Sequence, residues 1–337
     1  MQNFKAKLSV CVPVYNAERI LRACLESLAT QDFTDWELLV VNDGSTGTDA
    51  DGNDCRKIVK DFRKAHKLSK KKVIYLEHRS NLGLVEARRT LVEAAHSEYI
   101  VCLDSDDSLL PGALKTLYGA ALESDADIVQ GGTEVFCSDK DEESLSYKRA
   151  AEMKIKSNNI FNGQLNGNEV FDGNLVQHNH NGFLWGKLIR RETYLNALSY
   201  IPFTRCVFAE DFLQYFFISY CAKKYVGIKT PVYRYNVDTG ISSMKKITDL
   251  ARWEQVCSTA NVFSIIFSAI KEFPEGELPL EQMEALRLQS RSYLVNNIRQ
   301  MRAQVIPELH SQARQLLCDY WGTDFVEMME KAIDKPE

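Results

Sequence analysis

Tyr99-Ile100-Val101-Cys102-Leu103-Asp104-Ser105-Asp106-Asp107 is the stretch on which the reading of this chain turns. Five apolar residues in succession suit a strand buried on both faces, and the carboxylates behind them are too costly to bury with it. Upstream the same unit recurs. Leu8 to Val12, Trp36 to Val41 and Val73 to Leu76 are short apolar runs. Each is followed by helical spacing: Ile20, Leu21, Cys24, Leu25 and Leu28, then Ile58, Val59, Phe62 and Ala65, then Leu84 to Ala95. Downstream, Pro111 suits a first helical turn and Ile128-Val129 reads as a further strand. This alternation predicts an α/β fold, a mostly parallel sheet flanked by helices.

From about Thr133 to Asp238 the rhythm is lost. Asp139 to Glu143 reads as a charged surface loop and Ser157 to Gly167 as a mobile Asn/Gly-rich stretch. Val226 to Ile228 and Val232 to Tyr235 read as short strands, on either side of Lys229-Thr230-Pro231. From Asp249 onward the spacing is helical again, which predicts a C-terminal helical extension.

The 337 residues are 45% apolar and 26% charged, enough for about two domains and a large core. That composition excludes a disordered or collagen-like chain. The nine cysteines form no CxxC pair, and Cys11 and Cys102 lie inside apolar runs, so a reduced, cytoplasmic protein is expected. Met1 to Lys5 runs into a strand pattern without a signal-peptide core, and no apolar stretch approaches the roughly 18–20 residues of a membrane span. From Asp249 to the end, nine Lys/Arg face fourteen Asp/Glu. This acidic tail argues against a nucleic-acid partner and against a polybasic anchor.

Sheets of this kind bind ligands beyond the carboxyl ends of their strands. The residues found there are Pro13-Val14-Tyr15-Asn16, Asn42-Asp43-Gly44-Ser45, Arg79-Ser80-Asn81-Leu82-Gly83 and Asp104-Ser105-Asp106-Asp107. Carboxylates crowded as in the last segment repel one another unless a divalent cation sits between them, and hard oxygen donors suit Mg²⁺ or Mn²⁺. No GxGxxG or GxxxxGK[ST] occurs, so a nucleotide here needs a metal and a base slot in place of a glycine cradle. Tyr15 offers a flat face for a base, and Asp43 can accept from the imino N–H of a uracil, which cytosine lacks. His178-Asn179-His180 has no third ligand nearby and makes no zinc site.

Ser9-Val10-Cys11-Val12-Pro13-Val14-Tyr15-Asn16, Val40-Val41-Asn42-Asp43-Gly44-Ser45, Asn81-Leu82-Gly83 with Ala87-Arg88, and Leu103-Asp104-Ser105-Asp106-Asp107 together resemble glycosyltransferase family 2 over roughly residues 7 to 130. The resemblance implies the GT-A fold and an inverting, metal-dependent, single-addition hexosyltransferase. Pro13, Tyr15, Asn16 and Asp43 would surround the uracil of a UDP-sugar, with Asn81 and Ser105 in the same nucleotide-binding set. Gly83 would approach by its backbone and Arg88 would lie near the nucleotide, the alternative for Arg88 being an ion pair within the fold. Asp104 would hold the ribose, and Asp106 the Mn²⁺ or Mg²⁺ on the diphosphate. Phe208-Ala209-Glu210-Asp211 resembles the segment carrying the catalytic base, which assigns Asp211 as base with Glu210 beside it. A helix N-terminus favours such an ionised carboxylate, and direct displacement needs one to take the acceptor proton. Trp185 and Lys187 resemble the acceptor-side segment, although a core Trp reads equally well there. Arg234 with Asp238 to Ser243 matches the family's strand and small-residue loop after the base helix.

The division implied is 1–130 for the nucleotide-sugar half, 131–245 for the acceptor part and 246–337 for the helical extension. Arg252-Trp253 lacks the Gln of the processive QxxRW segment. The expected acceptor is a glycan, including a lipid-linked one. A peripheral membrane contact and a homodimer through the C-terminal helices stay open. Two rival readings are a nucleotide-sugar-binding scaffold without transfer and a sugar nucleotidyltransferase. The latter would want a Gly-rich, basic loop after the first strand, which is absent.

Overall fold

The computed structural model describes residues 6–239, 246–274 and 276–334. In chain order the elements are β1 (Leu8–Val14), α1 (Glu18–Ala29), β2 (Trp36–Asn42), α2 (Cys55–Ala65), β3 (Val73–Glu77), α3 (Leu84–Ala94), β4 (Tyr99–Cys102), β5 (Ser108–Leu109), α4 (Ala113–Ser124) and β6 (Ile128–Phe136). There follow α5 (Leu145–Ser157), β7 (Gly163–Asn166), α6 (Asn168–Leu175), β8 (Lys187–Arg190), α7 (Arg191–Ser199), α8 (Glu210–Cys221) and β9 (Lys224–Asn236). The last helices are α9 (Leu250–Cys257), α10 (Thr259–Ala269), α11 (Leu280–Gln304), α12 (His310–Trp321) and α13 (Thr323–Ile333). The chain folds into two compact units, 1–205 with 214–241, and 206–213 with 242–337.

The first unit holds one sheet in the order β3-β2-β1-β4-β8-β6-β9-β5, with β7 alongside β9. Strands β1 to β4 pair in parallel, and every residue of β1, β2 and β4 is buried. Along β1, Leu8, Val10, Val12 and Val14 join a core with Leu21, Cys24, Leu25 and Leu28 of α1. Those four positions of α1 lie on one helical face, and each fully buried Leu or Val contributes about 1.5–3 kcal/mol. Asp54 caps α2 by accepting from the Lys57 N–H at 2.7 Å.

The later strands bring antiparallel pairs: β8 with β4 and β6, β5 with β9, and β7 with β9. The two short strands expected near Val226 and Val232 are one strand, β9, with register irregularities against β6 at Gly132. The stretch expected to be mobile after Ser157 carries β7. It fits because Gly227 has no side chain: a Cβ there would lie 2.0 Å from the Phe161 carbonyl oxygen.

The second unit is helical. Trp253, Leu294, Ile298, Leu317 and Val326 form its core, and Trp253 Nε1–H donates to the Ala313 carbonyl at 2.8 Å. The Arg-Trp pair that evoked a processive segment is therefore a core tryptophan beside Arg252, whose guanidinium lies 4.9 Å from the Phe208 ring centroid. Among the described residues, no helix is long and apolar enough to cross a membrane.

Candidate functional site

The parallel register sets Val14 beside Asn42, Asn42 beside Glu77, and Cys11 beside Cys102, so the four strand ends open on one edge. Pro13 lies beyond the last β1–β4 pair, where its missing N–H removes no bond from that ladder. Tyr15 follows, 49% exposed. Asn16 takes a left-handed φ of 51° and joins two loops: its N–H donates to Ser45 Oγ at 2.9 Å and its Oδ1 accepts from Thr46 N–H at 3.1 Å. Gly44, at φ 72°, lets this loop meet the one after β3; a Cβ there would stand 2.5 Å from the Ser80 carbonyl carbon. Asn81 is exposed beside that contact.

Asp43 is buried and held by three donors. Its Oδ1 accepts from His78 Nδ1 at 2.6 Å and Leu82 N–H at 2.9 Å, and its Oδ2 accepts from Gly83 N–H at 3.0 Å. His78 Nε2 lies 2.9 Å from Thr90 Oγ1. The sequence reading missed His78. The available signal was its place directly after β3, three residues before Asn81-Leu82-Gly83.

The acidic segment is anchored from below. Arg88, 1% exposed, donates through Nη2 to Asp104 Oδ1 at 3.1 Å, so the ion-pair alternative for Arg88 is the arrangement present. Asp104 N–H donates to Tyr233 Oη at 3.2 Å, and Tyr233 O–H donates to Asp107 Oδ2 at 2.8 Å. Asn236 N–H donates to Asp107 Oδ1 at 2.8 Å. Strand β5 explains the fit: its pairing of Leu109 with Tyr233 draws the ring under the carboxylates. Ser105 and Asp106 are half-buried at the turn.

Burial raises the Asp106 carboxyl, opposed by hydrogen bonding from its own backbone and from Thr239. Burial, joined by the charges of Asp106 and Asp104, pushes Asp107 up to about 9. Cys24 below them is held as a thiol, first by burial and then by the same three carboxylates. Oxygen donors without a histidine, crowded and disfavoured as anions, fit a hard divalent cation. Among the described residues no three or more His, Cys, Asp or Glu converge into a ready cage.

Two expected acceptor-side residues lie elsewhere. Trp185 is 4% exposed and stacks on Phe183 at 4.5 Å, Tyr233 at 5.0 Å and Tyr235 at 5.2 Å. Lys187 is fully buried, its Nζ donating to Asn181 Oδ1 at 2.6 Å and the Phe183 carbonyl at 2.5 Å above the Tyr215 ring. Neither presents its side chain to an acceptor: the aromatic stack and the buried carbonyls satisfy them inside the core. His178 is exposed, whereas His180 is packed on Tyr225 and burial lowers it to about 3. Arg234 pairs with Glu134 on the surface. Of the small-residue loop at Asp238 to Ser243, residues 240–243 lie outside the described residues.

Glu210 and Asp211 stand in the first turn of α8, within the segment that belongs to the second unit. Ala209 before them holds φ 61°, a conformation that disfavours an alanine by about 1–2 kcal/mol, and its carbonyl accepts the Leu213 N–H that starts the helix. Burial, with the charges of Glu210 and Asp211 adding to it, holds the Tyr293 phenol well above its usual range.

The sequence model described as Glycosyl transferase family 2 matches residues 9–222. The chain is 30% identical over 236 residues to "Putative glycosyltransferase EpsH" of Bacillus subtilis, covering 68% of this chain and 60% of that protein. Across the first relatives matched, the aligned stretch spans between 16% and 60% of their own length. Among solved structures, S. aureus TarS 1-349 in complex with UDP-GlcNAc superposes with a TM-score of 0.53 at 19% identity, over 97% of this chain and 92% of that one. Mannosyltransferase PcManGT from Pyrobaculum calidifontis, in complex with GDP-Man and Mn²⁺, gives 0.52 at 14% identity over 98% and 86%. At these identities the two structures establish the fold.

Proposed function

The chain belongs to glycosyl transferase family 2, and from that premise we propose that it transfers a single sugar from a UDP-sugar to an acceptor hydroxyl, with inversion at the anomeric carbon. The observation that carries this reading is the pairing, on one sheet edge, of the Asp43 acceptor with the Asp104-Asp106-Asp107 cluster. That edge offers a base slot at the end of β2 and a diphosphate site at the end of β4, with β1 between them.

In this mechanism the uracil lies on Tyr15 and gives its N3–H to Asp43. Asn16, Ser45 and Gly44 keep that wall in place, and Gly83 allows the backbone to come close. Asp104, oriented by Arg88, accepts from the ribose hydroxyls. Asp106, with Asp104 or Asp107, would hold a divalent cation, Mn²⁺ or Mg²⁺; when bound, the cation neutralises the leaving diphosphate as a Lewis acid. Asp211 takes the acceptor proton as the hydroxyl oxygen attacks the anomeric carbon, and UDP leaves from the opposite face. The complex of TarS 1-349 with UDP-GlcNAc and the Mn²⁺ complex of PcManGT support the choice of donor class and cation. A glycan of the cell-surface polysaccharide or lipid-linked kind is the acceptor class that the relatives favour.

The test is a panel of nucleotide-sugars with Mn²⁺, read as nucleoside diphosphate release with and without glycan acceptors. UDP release from one donor, increased by acceptor, is the expected result. Release of sugar 1-phosphate instead, by cleavage of the phosphoanhydride bond, would indicate nucleotidyl transfer, and silence across UDP-sugars would refute the donor assignment.

A further inference from the structure

The hydrogen-bond capacity of Asp43 is nearly used up by the protein itself. An ionised carboxylate offers about four lone-pair positions, two on each oxygen. On Oδ1, His78 Nδ1 at 2.6 Å and Leu82 N–H at 2.9 Å take both; on Oδ2, Gly83 N–H at 3.0 Å takes one. One position remains for a ligand. The side chains of His78 and Asp43 are only 11% and 4% exposed, so water does not readily replace a lost partner. Thr90 Oγ1 at 2.9 Å from Nε2 fixes the far side of the imidazole and keeps Nδ1 turned to the carboxylate.

We propose that His78 sets the base selectivity of this site by saturating one oxygen of Asp43, so that the carboxylate accepts a single N–H and takes uracil in preference to guanine. Uracil presents one N–H between two carbonyls, which matches the single position left. Guanine presents N1–H and an N2–H side by side, a pair that needs both carboxylate oxygens; here the second donor meets an oxygen already filled. Cytosine places an unprotonated ring nitrogen against the carboxylate and is excluded with or without His78. A buried donor left unmatched is what gives such sites their discrimination. The inference rests on the reading that Asp43 faces the base.

The experiment is calorimetric titration of the full chain with UDP, GDP and CDP in the presence of Mn²⁺. It compares the wild type with His78→Leu, His78→Asn and Thr90→Val. The wild type is expected to favour UDP over GDP by at least about tenfold. In His78→Leu the UDP:GDP ratio should narrow by about tenfold, from weaker UDP and stronger GDP binding together. In His78→Asn, whose amide nitrogen takes the place of Nδ1, the wild-type ratio should return. Thr90→Val, which releases the ring without removing it, should narrow the ratio partway and decides the matter if His78→Leu does not fold. A ratio unchanged in His78→Leu or in Thr90→Val, or a wild type that binds GDP as tightly as UDP, overturns the assignment. Failure of the underlying reading looks different: UDP does not bind the wild type, or Asp43→Asn leaves its affinity unaltered.

Discussion

Removing the Tyr233 hydroxyl probes how the acidic segment is held. In Tyr233→Phe the ring keeps its stack on Trp185 at 5.0 Å, so packing is conserved and only the polar atom is lost. That atom serves two buried groups, accepting from Asp104 N–H at 3.2 Å and donating to Asp107 Oδ2 at 2.8 Å. Losing both without replacement costs about 1–2 kcal/mol each, or about 2–4 kcal/mol together. Urea unfolding at pH 7.5, followed by circular dichroism, reads this as a lower midpoint at unchanged slope. Calorimetry should also show UDP with Mn²⁺ binding more weakly, because the main chain at Asp104 loses its support. Tyr235→Phe is the matched control: its hydroxyl meets Arg149 at 3.4 Å, a contact whose removal should cost less than about 0.5 kcal/mol. If Tyr233→Phe unfolds within about 0.5 kcal/mol of the wild type, the hydroxyl does not hold the segment and the reasoning fails.

Gly44→Ala places a methyl group 2.5 Å from the Ser80 carbonyl carbon at φ 72°. It should destabilise by about 2–4 kcal/mol and weaken UDP; a wild-type urea midpoint would show that the loops do not need this approach. His180, lowered to about 3 by burial, is neutral in the native state and takes up a proton more readily when unfolded. Stability is therefore lost as pH falls from about 6.5 toward 3. Between pH 7.5 and 5.0 the wild type should lose about 2 kcal/mol more than His180→Leu, and equal losses would contradict this. Asp211→Asn should keep UDP affinity within about twofold while turnover falls about 10²–10⁴-fold; near-normal transfer would remove Asp211 from the role of base.

The half of the chain built from β1 to β4 was legible because those strands are covered on both faces, and continuous burial writes itself as continuous apolar runs. The polar turns after them marked the site for the same reason, since carboxylates cannot follow a strand into the core. What stayed hidden depends on tertiary contacts. Helix α5 buries only Ser157 and so carries no stripe. Strand β7 exists through the approach of Phe161 to Gly227, and β9 continues through Pro231 between the two runs expected as separate strands. Trp185 and Lys187 could not be assigned to core or cleft from their neighbours in sequence. The partners that bury them include Tyr233 and Tyr235 of β9 and Tyr215 of α8, all distant in the chain. A lone histidine after a strand carries no chemical signature, and only the 2.6 Å contact with Asp43 gives His78 a role.

The most direct measurement is calorimetric titration of UDP into the protein with Mn²⁺ and then with a chelator, repeated on Asp106→Ala and Asp43→Asn. The account predicts binding that weakens at least about tenfold when the cation is withdrawn, the same weakening in Asp106→Ala, and a separate loss in Asp43→Asn. Equal affinity with and without Mn²⁺ in both the wild type and Asp106→Ala would contradict it.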